Sequence, residues 1–397
     1  MNAKCAMVTW QDLIEFLWCI SKIHLGETDK EFVFQFCQKD VPWEGMGALA
    51  EMEGVSGFLY YHMKDLGLLD ALPKSFAGPI ENSYHRAKQH TLAIAAEARA
   101  LSAMLEEAGV PVVALQGLSL LSVYGEPGLR TLGDADLMVK PGHKERLKGL
   151  MRGAGFRAPT IMYPDLLYKD GIWFDIHAHI LNLDRIQHRG YLFPENLTSM
   201  WERAIPLFDQ PNGLLVLDPF DNFISLSAHA LKHSYSRLIW LSDLHESLLL
   251  WATTRNGWER MVDRARFWKQ EKVILYALIL MERVFNLKVA WRVKRELGMQ
   301  QLNIVEKHLL RLKLRGLSSN ELCIPLWLSN IRGIGRKLRF VRETVFPQGE
   351  IMAQIFPEKS QEKKRIIYVQ RIANAIILLG KNLHQALTFS LSAKGYG

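Results

Sequence analysis

Cysteine is scarce in this chain. Cys5, Cys19, Cys37 and Cys323 are all it has among 397 residues, with no Cys-x-x-Cys pair and no zinc-ligand spacing. That excludes a disulfide-stapled scaffold and a cysteine-based zinc module, and a reducing, cytoplasmic setting is expected. The three cysteines of the first forty residues suit burial as small hydrophobes in helices. Long apolar runs are also missing. The most apolar stretches, around Leu248–Trp251 and Ile372–Leu379, are too short or too interrupted to cross a bilayer, so no transmembrane segment is expected. The opening MNAKCAMVTWQDLIEF carries acidic residues where a secretory leader needs an uninterrupted apolar stretch. There is no internal repeat and no low-complexity tract. Nor is there a strong charge of one sign. The net charge of +8 favours anionic partners (nucleotide, nucleic acid or a membrane surface) but is modest for this length.

What is present is ordinary globular material. Hydrophobic residues make up 49% and charged residues 23%, which argues against disorder. The length exceeds a typical single core, so two or three packed units are expected. Residues 10 to about 80 read as helical, with Trp10, Leu13, Phe16, Leu17 and Ile20 forming one apolar stripe. Pro73 and Gly78-Pro79 mark a break. A long helix follows from about Ser83 to Glu107, capped by Gly109.

The pattern then changes to alternating strand and helix. Val112–Leu115 is a valine-rich buried strand, followed by a short helical segment Leu118–Tyr124. Asp134–Val139 forms a second strand, and a helix opens at Pro141 and runs through Met151. Leu166–Lys169 and Ile172–Ile180 flank Asp170-Gly171, a strong two-residue hairpin signal. These pieces make a small sheet unit over about residues 86–200. After Asp218-Pro219 the chain is strongly helical to about Lys313. A less regular basic stretch follows, and then a last helix around Arg365–Leu387.

The sharpest chemical feature is Asp134-Ala-Asp136-Leu-Met-Val139. Residues two apart on a strand project from the same face, so Asp134 and Asp136 present paired carboxylates while Ala135, Leu137 and Val139 face a core. Adjacent like charges are costly unless a cation or a donor neutralises them. Hard divalent cations such as Mg²⁺ use such oxygen clusters together with substrate phosphates. Upstream, Gln116-Gly117-Leu118-Ser119 stands where a strand gives way to a helix. Glycine permits close backbone approach there, and free helix amides attract phosphate oxygens. Downstream, Asp175 alternates with Ile172, Phe174 and Ile176. It supplies a third carboxylate that would complete a two-metal phosphoryl-transfer site.

Glycine and serine on a strand-to-helix turn, Asp-x-Asp on the next strand and a lone Asp on a later strand resemble the polymerase-β-type nucleotidyltransferase superfamily. More narrowly, the chain resembles a bacterial family described as uncharacterised nucleotidyltransferases. The likeness rests on Leu115-Gln-Gly117, Arg130 before Asp134-Ala-Asp136, Gly155-Phe156 and Asp175-Ile-His177. It continues through His229 and His233 to Leu238-Ile-Trp240-Leu-Ser-Asp243, and covers roughly residues 40–350. Leu118 separates Gly117 from Ser119, a departure from the superfamily's Gly-Gly or Gly-Ser turn. The resemblance implies that Asp134, Asp136 and Asp175 hold metal, two Mg²⁺ ions being expected, and that Gly117 and Ser119 hold the triphosphate. The expected fold is α+β. A small mixed-sheet catalytic domain at 86–215 stands between an N-terminal helical region, 1–85, and a helical domain, 216–345, with a helical tail at 346–397.

Other residues admit two readings. Arg130 suits either a phosphate contact or a brace for the acidic pair, and Gln116 is the neighbouring candidate nucleotide contact. His177 and His179 share the strand of Asp175, and His177 suits a hydrogen bond to the acidic cluster better than metal ligation. His229 and His233, four apart on a helix, share a face with no third zinc ligand in view, which favours a structural or substrate-contact role. The run Arg332, Arg336, Lys337, Arg339 and Arg342 reads as a solvated helix face, with a nucleic-acid or anionic-lipid surface as the alternative.

The leading expectation is transfer of a nucleoside monophosphate from an NTP, ATP among the candidates, to an acceptor with release of pyrophosphate. The acceptor, a small molecule, a peptide or an RNA end, is not written in the sequence. A metal-dependent glycosyltransferase would also use an Asp-x-Asp pair, but gives no role to Asp175 or the Gly-x-Ser turn. A noncatalytic nucleotide-binding relative would fit the altered spacing of that turn.

Overall fold

The computed structural model describes residues 8–160, 163–182, 188–314 and 323–346. Four helices open the chain: α1 (Trp10–Ile20), α2 (Glu27–Cys37), α3 (Trp43–Glu53) and α4 (Ser56–Asp65). The stripe foreseen on α1 is buried at Leu13, Phe16, Leu17 and Ile20, while Trp10 stays exposed. Helix α5 then runs unbroken over Lys74–Ala108 and ends at Gly109, whose φ of 60° is the left-handed cap that glycine favours.

The break expected at Gly78-Pro79 does not occur. Pro79 lies inside α5. It removes one backbone hydrogen bond, but Phe76, Ile80 and Tyr84 are buried against α3 and α4, with the Trp43–Phe76 and Tyr60–Tyr84 rings 4.9 and 4.7 Å apart. Tertiary packing outweighs the local penalty.

Six strands follow: β1 (Val112–Ala114), β2 (Ala135–Val139), β3 (Leu166–Lys169), β4 (Ile172–His177), β5 (Ile205–Pro206) and β6 (Leu214–Val216). Helix α6 (Lys144–Gly153) separates β2 from β3, and α7 (Thr198–Arg203) precedes β5. The sheet order is β3-β4-β2-β1-β6-β5. It is mixed: β2 runs parallel to β4 and β1 to β6, while β1–β2, β3–β4 and β5–β6 are antiparallel. The hairpin turn is as foreseen, with Asp170 and Gly171 both at positive φ, 48° and 84°. The β5–β6 pair was not foreseen, so the sheet extends past residue 200.

Residues of opposite parity on the strands feed two cores. Val112, Ala114, Ala135, Leu137, Val139, Phe174 and Ile176 join Ile94, Ala98, Leu101 and Leu105 of α5 and Leu147 of α6. Val113, Leu115 and Met138 face the opposite way, into the larger core shared with the helical segments. That second face carries Asp136, Asp175 and His177 by the same alternation.

Beyond the sheet come α8 (Pro219–Lys232), α9 (Leu238–Leu249), α10 (Gly257–Phe267), α11 (Glu271–Val284), α12 (Trp291–Glu296) and α13 (Ile304–Leu314). Asp218 caps α8 through the amides of Phe220 and Asp221, and Pro219 occupies its first turn. The basic stretch is more regular than expected, with α14 (Cys323–Asn330) and α15 (Ile334–Val345). The helix expected over Arg365–Leu387 lies outside the described residues. The chain is α+β, with a mixed sheet and many helices. Among the described residues, no helix is long and apolar enough to cross a membrane.

Candidate functional site

The parallel pairing of β2 with β4 sets the site. Its register puts Asp136 opposite Asp175 and Met138 opposite His177. Asp136 and His177 are buried and Asp175 is partly exposed. The imidazole Nε2 lies 2.8 Å from Asp136 Oδ1 and 3.3 Å from Asp175 Oδ2, so its N–H donates between the two carboxylates. Asn182, just beyond the strand, donates to Asp175 Oδ2 at 3.3 Å. Asp136, Asp175 and His177 each offer one ligand atom within 4.8 Å of the others.

The electrostatics follow from this crowding. Burial disfavours a charged His177, but its hydrogen bonds to Asp136 and Asp175 and their negative charges outweigh it, raising the imidazole to about 9. Asp134 sits one residue before β2, outside the three-residue group. Its carboxyl is pushed up to about 6 by lost solvation and then by the charges of Asp136 and Asp175. Three carboxylates therefore crowd one end of the sheet, and the imidazolium balances part of their charge.

The turn after β1 approaches the same end. Leu115 N–H donates to Asp136 O at 2.9 Å, and Gln116 takes a positive φ of 53°. Gly117 is closely approached: a Cβ there would lie 2.5 Å from the Leu132 side chain and 3.2 Å from the Arg130 guanidinium, and both would have to shift. Ser119 is turned inward. Its hydroxyl lies 2.7 Å from Gln116 O and 3.1 Å from Asn222 Oδ1 on α8, with one proton to share between them.

Arg130 is held from a third direction. Its Nε and Nη2 fork onto Asp243 of α9 at 3.0 and 2.9 Å, and its Nη1 donates to Thr131 O. Tyr124 donates to the same carboxylate at 2.9 Å, its hydroxyl kept neutral by burial and by that negative charge. The loop carrying Arg130 passes so close to α4 that a Cβ on Gly57 would lie 2.1 Å from Gly128 O.

Asp136, Asp175 and His177 thus come together, with Asp134 beside them, Gln116 and Gly117 on the adjoining turn, and the Arg130 guanidinium reaching Gly117 from its own loop. Arg130 takes Asp243 as its partner rather than the acidic pair. Asn182 and Asn222 belong to no motif with fixed spacing: each meets its partner through a turn or a fold contact. His229 meets Trp240 edge-on and His233 packs against it at a tilt, and the described residues place no third ligand with them. On α15, Arg339 donates to Tyr191 Oη at 3.0 Å and Arg336 lies over the same ring.

Comparison with known proteins gives a family. Residues 39–286 match a family described as uncharacterised nucleotidyltransferase, a span that contains every site residue above. No curated protein and no solved structure matches the chain.

Proposed function

Because the chain belongs to the uncharacterised nucleotidyltransferase family, we propose that it moves a nucleoside monophosphate from an NTP to an acceptor hydroxyl. The bond between the α- and β-phosphates breaks and pyrophosphate leaves. A new bond forms between the acceptor oxygen and the α-phosphorus, and the acceptor proton passes to Asp175. The observation that carries this reading is the in-register pair Asp136–Asp175 across two parallel strands, with His177 between the carboxylates.

The residues fit a divalent cation. Asp136 and Asp175 offer oxygen donors from neighbouring strands, and Asp134 stands at the lip beside them, the donor type that Mg²⁺ takes together with phosphate oxygens. His177 is the departure from an all-oxygen set, and its place is that of a hydrogen-bonding partner to the carboxylates. When bound there, such an ion would supply positive charge to offset that of the triphosphate. The chain's own groups do the rest. Gln116 and Gly117 bring backbone close to the phosphates, and Arg130, fixed by Asp243, adds positive potential beside them. Asp175 accepts the acceptor proton, and positioning and charge matching supply most of the rate.

Calorimetry with Mg²⁺ and each of ATP, CTP, GTP and UTP, beside a panel of nucleotide sugars, tests the substrate class. Binding of at least one NTP is expected. Binding of a nucleotide sugar alone would replace this reading by a glycosyltransferase. NTP binding without pyrophosphate release, across sugar, peptide and RNA acceptors, would favour a noncatalytic nucleotide-binding protein.

A further inference from the structure

Helix α15 is held by one face and presents another to solvent. Phe340 and Glu343 are buried, and Glu343 is paired with His188. Arg339 and Arg336 reach Tyr191 from the same side. At about 3.6 residues per turn, Ile334, Leu338 and Val341 fall together on the opposite side. All three are exposed, Ile334 at 75% and Leu338 at 64%. Helix α1 shows the ordinary arrangement, its stripe of Leu13, Phe16, Leu17 and Ile20 turned into a core. Helix α15 turns its stripe outward.

The stripe is bordered by charge of one sign. Lys337 falls on one flank and Arg342 on the other, and Arg332 stands just before the helix. None of the three makes an ion pair among the described residues. Glu343, the one carboxylate of the helix, lies on the packed face. The sequence that follows brings no counter-charge, since residues 347–397 hold seven Lys and Arg against three Glu and no Asp. A second copy of the chain would set the same cations against these, a like-charge contact. A nucleic acid would satisfy the cations, but aliphatic side chains give its bases nothing to stack on. An anionic bilayer answers both features, because its phosphates lie directly above an apolar layer.

We propose that α15 docks on the surface of a bilayer that contains anionic lipid. Ile334, Leu338 and Val341 enter the boundary of the acyl chains, while Lys337 and Arg342 meet the phosphates on either side. The contact is peripheral and crosses nothing. It stands apart from the nucleotidyltransfer reading and needs no residue of the acidic site.

Flotation of the full chain with vesicles tests it, using phosphatidylcholine alone and phosphatidylcholine mixed with phosphatidylglycerol. Two double variants are compared with the wild type: Ile334→Ser with Leu338→Ser, and Lys337→Gln with Arg342→Gln. None of these four side chains is buried, and a melting curve on each variant checks that the fold persists. The wild type is expected to float with the anionic vesicles only, and less as salt rises. The serine pair should weaken that association about tenfold or more, and the glutamine pair several-fold. Equal flotation with both vesicle types, flotation with neither, or anionic flotation that neither pair weakens overturns the proposal. Self-association or binding to single-stranded RNA that these variants weaken, with no vesicle binding, overturns it too and reassigns the face to a second copy or to nucleic acid.

Discussion

Asp136 has 8% of its surface exposed and shares the His177 imidazole with Asp175, so a change there acts on charge as well as on ligation. In Asp136→Asn the amide keeps the size of the side chain and can still accept from His177, while repulsion toward Asp134 and Asp175 is relieved. The fold should therefore persist, with a thermal midpoint within a few degrees of wild type. Turnover should be abolished, because a neutral amide is a poor ligand for a hard cation. Pyrophosphate release and a melting curve on one sample check both halves, and unchanged turnover would remove Asp136 from the site. Asp175→Ala separates chemistry from binding. Loss of the group proposed to take the acceptor proton should slow turnover by on the order of a hundredfold, while NTP affinity should change much less because such an interaction belongs to the transition state. Equal loss of affinity and rate would move Asp175 to nucleotide binding. These carboxylates were legible because a strand's period of two fixes which residues share a face. Asn222 was not legible. Its meeting with Ser119, across more than a hundred residues, depends on where α8 comes to rest.

Among the elements, the hairpin and α6 could be read locally, since Asp170-Gly171 and Pro141 carry their own backbone preferences. Strand β6 could not: Leu214–Val216 is three residues long and exists through its pairing with β1. The continuity of α5 through Pro79 is likewise a property of α3 and α4 packed against it. Helix α8 depends on partners in the same way. Asp221 is fully buried near its start and accepts from Arg203 Nε at 2.9 Å and from Trp268 Nε1 at 2.8 Å, with Arg264 paired to it at 2.7 Å. Asp221→Ala would leave those donors facing a hole in the core. Removing one member of a buried ion pair costs about 3–5 kcal/mol, and a loss of that size is expected in urea unfolding. Because Asn222 of the same helix meets the turn through Ser119, NTP affinity should fall in this variant too, and more steeply as temperature rises. A variant as stable as wild type would show that α8 is held by its apolar face alone.

At the scale of the whole molecule, the sheet separates two cores, and the larger of them encloses ionisable groups whose protonation the fold opposes. His62 is buried, its Nε2–H donating to Lys22 O at 2.8 Å, and burial lowers its affinity for a proton. His229 is shifted the same way, and further. For both, the folded chain binds a proton less readily than the unfolded chain, whose histidines titrate near 6.5. The contribution of each to stability is therefore fully present above about pH 6.5 and is lost as pH falls below that value, because protons then bind the unfolded chain preferentially. Asp134 acts in a lower window and with the opposite sign. Its folded value of about 6 lies above the unfolded one, so the fold takes up its proton more readily between about pH 4 and 6. A single acid titration would mix the two effects, and a pair of titrations separates them. His62→Gln keeps an N–H donor for Lys22 O and has no proton to gain. Urea midpoints at pH 7.5, 6.5 and 5.5 should fall less steeply in this variant than in the wild type, with the two curves separating below about pH 6.5. Parallel curves would show that His62 takes its proton as easily folded as unfolded, and that the acid sensitivity of the fold lies elsewhere.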